Sequence, residues 1–137
     1  MIRVLLPVDG SDSSARAVQR VASCSQRVAP VEVQLLYVQV DDGTAATVFD
    51  EPARNDALEA GNRALQSAAD VLARAGVACM SESRKGFVPS VIVEHAKSTN
   101  CDAIVMGTRG MGSTQQLLGS IARQVISLSD LPVTLVK

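Results

Sequence analysis

The chain has no tryptophan, one tyrosine and two phenylalanines, so aromatic rings cannot build its core. Hydrophobic residues nevertheless make up 47% of the 137 residues. The interior must be filled by Val, Leu, Ile and Ala, which suit strands buried on both faces under covering helices. Cysteine is also scarce: Cys24, Cys79 and Cys101 are odd in number, far apart and free of any CxxC pair, which excludes a disulfide framework and a zinc site of ordinary spacing. A reducing compartment is expected. His95 is the sole histidine, and no second ligand neighbours it, so no Ser-His-Asp set can be assembled. Lying beside Glu94 on a helical stretch, it is expected to be solvated. Thirteen basic against fourteen acidic residues give a net charge of −1 with no long run of either sign, which argues against a nucleic-acid partner. No apolar run approaches the roughly 18 residues that cross a bilayer, so no membrane partner is expected. The first residues enter a strand-like run without a signal-peptide pattern, and a cytoplasmic location is predicted.

What is present is an alternation of strands and helices along what is expected to be one domain, residues 1–137. Ile2 to Val8 is a short apolar run, with Pro7 near its end unable to donate to a ladder. Asp9-Gly10-Ser11-Asp12 supplies a turn and an N-cap for a helix carrying Ala15, Val18, Val21 and Ala22 at helical spacing. Val31 to Val40 reads as a second strand and residues 41 to about 50 as a loop. Leu58, Leu65 and Leu72, with Gly61 and Ala68 on the same face, predict a helix over Glu51 to Ala75 stopped by Gly76. Val77 to Ser83 is polar enough for a sheet edge. Pro89 begins a helix with Ile92, Val93 and Ala96, which Asn100 ends. Asp102 to Met106 is the most apolar strand. A last helix with Leu118, Ile121, Ala122, Val125 and Leu128 leads to a strand over Pro132 to Lys137.

Such alternation forces right-handed crossovers and a mostly parallel α/β sheet with helices on both faces. Ligands bind such sheets at the carboxyl ends of strands where the strand order reverses. Asp9, ending the first strand, and Gly107, ending the fourth, would face that crevice together if those strands pair. Gly107-Thr-Arg-Gly110-Met-Gly112 follows the fourth strand directly. It lacks the lysine of a Walker A loop, and a dinucleotide fingerprint belongs on the first strand-helix turn rather than the fourth. A different phosphate cradle, made by Gly107, Gly110 and the helix start at Gly119-Ser120, competes on these grounds with a plain structural turn. Cys101, just ahead of a strand, reads as a small hydrophobe.

Pro7-Val-Asp9-Gly-Ser11, Leu35-Leu-Tyr-Val38, Ile104-Val-Met-Gly107-Thr-Arg-Gly110, Gly119-Ser120-Ile-Ala-Arg-Gln-Val and Leu131-Pro-Val-Thr-Leu-Val-Lys137 together resemble the universal stress protein family over the whole chain. The resemblance implies an open five-stranded parallel sheet of order 3-2-1-4-5, Rossmann-like, and a homodimer through the C-terminal strand, residues 132–136. The nucleotide-binding branch of that family carries G-x2-G-x9-G-(S/T). By position, Asp9 would approach the adenosine, and Pro7, Val38 and Met106 would line an apolar pocket. Gly107, Arg109, Gly110, Gly119, Ser120 and Ile121 would surround ribose and phosphates. The ligand implied is ATP or a related adenine nucleotide, AMP or ADP, with Mg2+ as a phosphate-bound companion.

The pattern is shorter here, with eight residues between Gly110 and Gly119. One residue fewer removes up to about 3.5 Å of reach, enough to displace an N–H donor whose hydrogen bond must be about 2.9 Å long. The function expected is that of a stress-response sensor or adaptor that works by binding and is not an enzyme. Slow hydrolysis stays open because Asp9 could orient a water. The alternative is an interaction module of the same family that dimerises and binds no nucleotide.

Overall fold

The computed structural model describes residues 1–40, 51–109 and 119–137, with the side chains of residues 51–55 and 57 outside that description. In chain order the elements are β1 (Ile2–Pro7), α1 (Asp12–Arg27), β2 (Val31–Val40), α2 (Glu51–Arg74), β3 (Ala78–Gly86), α3 (Val88–Ser98), β4 (Ala103–Gly107), α4 (Ser120–Leu128) and β5 (Val133–Val136). The strands form one parallel sheet in the order β3-β2-β1-β4-β5, the arrangement that the resemblance implies. The chain winds outward from β1 to β3 on one side, then returns to β4 on the other. The order therefore reverses between β1 and β4.

Side chains of successive strand residues alternate between the two faces, and the central strands are apolar on both. Leu6, Val33 and Leu35 pack under α1 and α2 with Val18, Val21 and Leu72. Leu5, Leu36 and Ile104 pack under α3 and α4 with Ile92, Ala96 and Val125. Leu5, Leu6, Leu35 and Leu36 have no exposed surface. Each such leucine contributes about 1.5–3 kcal/mol by leaving water, so adjacent leucines of β1 and β2 hold helices on opposite sides of the sheet. Cys101 is buried among the second set, as its small apolar character predicts.

Helix ends follow local chemistry. Ser11 is the N-cap of α1, its hydroxyl accepting from the Ser14 N–H at 3.2 Å. Asp9 organises the turn ahead of it instead, its Oδ1 accepting from the Ser11 N–H at 2.9 Å. After α2 the Gly76 N–H donates to the Ala73 carbonyl and the Val77 N–H to the Leu72 carbonyl, closing the helix where Gly76 was expected to stop it. Asn100 takes the left-handed conformation, φ 56°, just past the C-cap Thr99 of α3.

Several expectations change. β3 runs on to Gly86 instead of stopping at Ser83, because nine consecutive pairings with β2, from Glu32 opposite Ala78 to Val40 opposite Gly86, carry it. Backbone hydrogen bonding sets its length whatever its polar side chains suggest. Leu58 is 38% exposed, so the buried seam of α2 consists of Gly61, Leu65, Ala68 and Leu72. Leu128 is likewise exposed, leaving Ala122 and Val125 as the buried residues of α4. Leu118 lies outside the described residues.

Candidate functional site

β1 and β4 pair only at Val4 with Ala103 and Leu5 with Ile104. Continuing that register would set Pro7 opposite Met106, and proline has no N–H to donate. The two strands part there, and the gap is the mouth of a cleft of about 350 Å3, within the range of small-molecule sites. It lies at the carboxyl ends of the strands and at the reversal of strand order, where open α/β sheets take ligands.

One side of the cleft is apolar, lined by Leu36, Val38, Val88, Ile92, Met106 and Ile121. The other side is polar, with Asp9, Ser11, Ser14, Thr108, Arg109 and Ser120. Gly119 is the N-cap of α4 and offers no capping side chain. The first-turn N–H groups of such a helix have no intrahelical partner and present partial positive charge. Since Gly119, Ser120, Ile121 and Ala122 all line the cleft, that helix end is a wall of it.

The glycine-rich stretch is anchored on both flanks. The Thr108 N–H donates to the Val136 carbonyl at 3.0 Å, extending the β4–β5 ladder. The Gly119 N–H donates to the Thr108 carbonyl at 2.7 Å, which ties the start of α4 to the end of β4. That bond sets where α4 starts relative to the end of β4. Arg109 is held through its backbone: its N–H donates to Ser13 Oγ at 3.3 Å, and its carbonyl accepts from Ser11 Oγ at 3.4 Å. Both serines belong to the start of α1. Gly107 has a packing reason to be glycine, because a Cβ there would meet the Ser13 backbone.

The only tyrosine, Tyr37, also lines the cleft. Burial pushes its phenol above the usual value, and the Asp9 carboxylate adds to the shift. The ring is neutral at physiological pH.

Of the residues singled out from sequence, Pro7, Asp9, Val38, Met106, Gly107, Arg109, Gly119, Ser120 and Ile121 line this one cleft. Gly110 lies outside the described residues. Ser11, Ser14, Tyr37, Val40, Val88 and Ile92 are further lining residues that sequence reasoning missed. Val88 and Ile92 lie one helical turn apart, and an apolar pair at that spacing reads as core.

His95 overturns the expectation of a solvated helix residue. It is 1% exposed on the face of α3 against the sheet, with Nε2 3.3 Å from Glu82 Oε2 and, among the described residues, no hydrogen bond at either ring nitrogen. The reason is positional: residue 95 follows Ile92 by one turn and shares its buried side. Burial lowers the imidazole pKa below its usual value; Glu82 opposes that shift and Arg84 adds to it.

Comparison with known proteins decides the family, since the model of the universal stress protein family matches residues 1–137. The chain belongs to that family. A universal stress protein of Methanocaldococcus jannaschii, MJ0531, is 34% identical over 140 residues, covering 98% of this chain and 81% of its own length. Among solved structures, the hypothetical protein MJ0577, the subject of a structure-based functional assignment, superposes with a TM-score of 0.87 at 26% identity over 98% of this chain and 94% of its own. A universal stress protein solved in complex with cAMP superposes with a TM-score of 0.70 at 25% identity, covering 98% of this chain and 95% of its own. Both solved structures superpose on a chain whose described residues form one parallel sheet in the order β3-β2-β1-β4-β5 with four helices.

Proposed function

We propose that this universal stress protein binds an adenine nucleotide, ATP foremost, in the cleft between β1 and β4, and that it acts through binding as a stress-response sensor or adaptor. The observation that carries the reading is the pairing of an apolar wall with an uncapped helix N-terminus in one cleft. A purine fits the Val38, Val88 and Met106 side. Phosphates fit the start of α4, where backbone N–H groups and the helix dipole attract anions, with Arg109 beside them as a cation suited to phosphate. A universal stress protein of similar fold that was solved in complex with cAMP supports the reading. Mg2+ would enter with the phosphates, as it usually binds through them with few protein ligands. The alternative of a module that binds no nucleotide is separated from this reading by a direct binding measurement.

Calorimetric titration with ATP, ADP and AMP tests the proposal, together with mass spectrometry of any molecule released when freshly purified protein is denatured. Adenine nucleotide near one per chain is the expected result. Gly119→Val keeps a backbone conformation open to valine, φ −61° and ψ 149°, but adds bulk at the cleft wall, and it should abolish binding without loss of fold. Absence of adenine nucleotide binding by the wild-type protein overturns the reading. β5 forms one edge of the sheet, and an edge strand is a template for a second copy. Dimerisation through residues 132–136 is part of the proposal, and sedimentation equilibrium at micromolar concentration should give twice the chain mass.

A further inference from the structure

α3 meets the edge strand β3 at two places. Near its N-terminal end Val91 packs so closely on Gly86 that a Cβ there would stand 2.8 Å from Val91 Cγ2. One turn later His95 faces Glu82 across 3.3 Å. The same helix supplies Val88 and Ile92 to the cleft, and Val88, Ile92 and His95 follow one another at spacings that lie along one side of a helix. The stretch from Val88 to His95 is two helical turns, about 10 Å long, so a displacement at one end is felt at the other.

The His95 contact is unbalanced. The imidazole is buried while the Glu82 side chain is 47% exposed, and Glu82 Oε1 is also engaged by Arg84 Nε at 3.3 Å. Among the described residues neither imidazole nitrogen has a hydrogen-bond partner. Neutral imidazole tolerates that arrangement at modest cost, but imidazolium needs acceptors for two N–H groups. Glu82 and Arg84, both on β3, are the charged groups that act on the ring. From β1 and β2, Arg3 and Glu32 lie beneath the end of α3, where Arg3 also donates to the Thr99 carbonyl, and they neutralise each other at 3.3 Å. On the side of α4, Lys97 pairs with Asp130 at 3.5 Å. Glu82 is thus the acceptor within reach, and only for one nitrogen.

We propose that His95 is a proton-operated lever: uptake of a proton gives the ring a second N–H that Glu82 does not reach, and the demand for an acceptor in solvent shifts α3 against β3 and through Val88 and Ile92 reshapes the apolar wall of the cleft. Acidification then weakens whatever ligand rests on that wall. The last step rests on the nucleotide reading; the motion itself does not.

The single histidine gives a single imidazole resonance, so NMR titration follows it without ambiguity. On lowering the pH from about 7.5 to about 5, across the ordinary histidine range, the amide signals of Val88 and Ile92 should move with the same midpoint as the imidazole. Amides of Val88 and Ile92 that stay fixed while His95 titrates would overturn the proposal, whether or not any nucleotide binds. Calorimetry with ATP over the same interval supplies the second arm. The wild type should lose about tenfold in affinity, which is the coupling of one proton whose pKa differs by one unit between free and bound states, and His95→Phe should show that much less pH dependence. An identical fall in both proteins overturns the coupling. No binding in either at any pH instead defeats the nucleotide reading, and the NMR arm then decides the lever alone.

Discussion

Gly107 lies directly beneath Ser13: a methyl group on Gly107 would stand 2.7 Å from the Ser13 carbonyl carbon and 2.9 Å from its Cβ. The first turn of α1 therefore rests on the last residue of β4, and Ser13 Oγ reaches from there to the Val136 carbonyl and the Arg109 N–H. One contact joins the start of α1, the glycine-rich stretch and β5.

Gly107→Ala should accordingly destabilise the protein by about 1–3 kcal/mol, the usual effect of overpacking a site whose neighbour is backbone. Urea unfolding followed by circular dichroism measures it. A midpoint equal to wild type would show that Gly107 is not fixed by packing on Ser13.

Gly61 sits inside α2, where alanine ordinarily gains about 1 kcal/mol over glycine. Here a Cβ would fall 2.9 Å from Tyr37 Cγ, an atom on the χ2 axis, so flipping the ring about that axis gives no relief. Gly61→Ala should lower stability in the wild-type background and raise it in a Tyr37→Ala background. Additive effects in the double-mutant cycle would remove the proposed contact.

The pH dependence of stability has a defined sign. Burial holds the His95 pKa in the folded state below its usual value of 6.5. As pH falls through about 6.5 the unfolded chain takes up a proton that the folded chain resists, so folding weakens. The penalty is absent above that range, grows on acidification and levels off below the folded-state pKa. Urea midpoints measured across the interval should fall less steeply for His95→Phe than for the wild type.

Tyr37 is the only tyrosine and there is no tryptophan, so phenolate absorbance and intrinsic fluorescence both report a single side chain in the cleft. Alkaline titration should place its ionisation above the usual value of 10.0, and Asp9→Asn should reduce the shift by removing the smaller of its two causes. Nucleotide added to the wild type should change the fluorescence, and an unchanged signal at calorimetric saturation would place the ligand away from Tyr37.

Legibility differed from element to element for physical reasons. The strands around Leu5-Leu6 and Leu35-Leu36 and a cap within Asp9-Gly10-Ser11-Asp12 follow from residue type and immediate neighbours, which act whatever the rest of the chain does. The polar strand β3 was read three residues short because its length depends on β2, a partner remote in sequence. His95 was read as solvated because a polar residue between buried neighbours signals nothing by itself; only the packing of α3 on the sheet shows which side it occupies. The cleft was legible through its glycines and Asp9. Val88 and Ile92 were not, since an apolar residue in a helix looks the same whether it meets a core or a ligand.

By itself the sequence determined the alternation of strands and helices, the aliphatic composition of the core and, through its combined motifs, membership of the universal stress protein family. These depend on local preference and on periodicity, both written in short windows of chain. Tertiary structure alone decided where Gly119 sits, why Gly107 must be glycine, and which way His95 faces. Each of those is set by a contact between residues distant along the chain: the Thr108 carbonyl for Gly119, the Ser13 backbone for Gly107, and the packing of Ile92 and Ala96 on the sheet for His95.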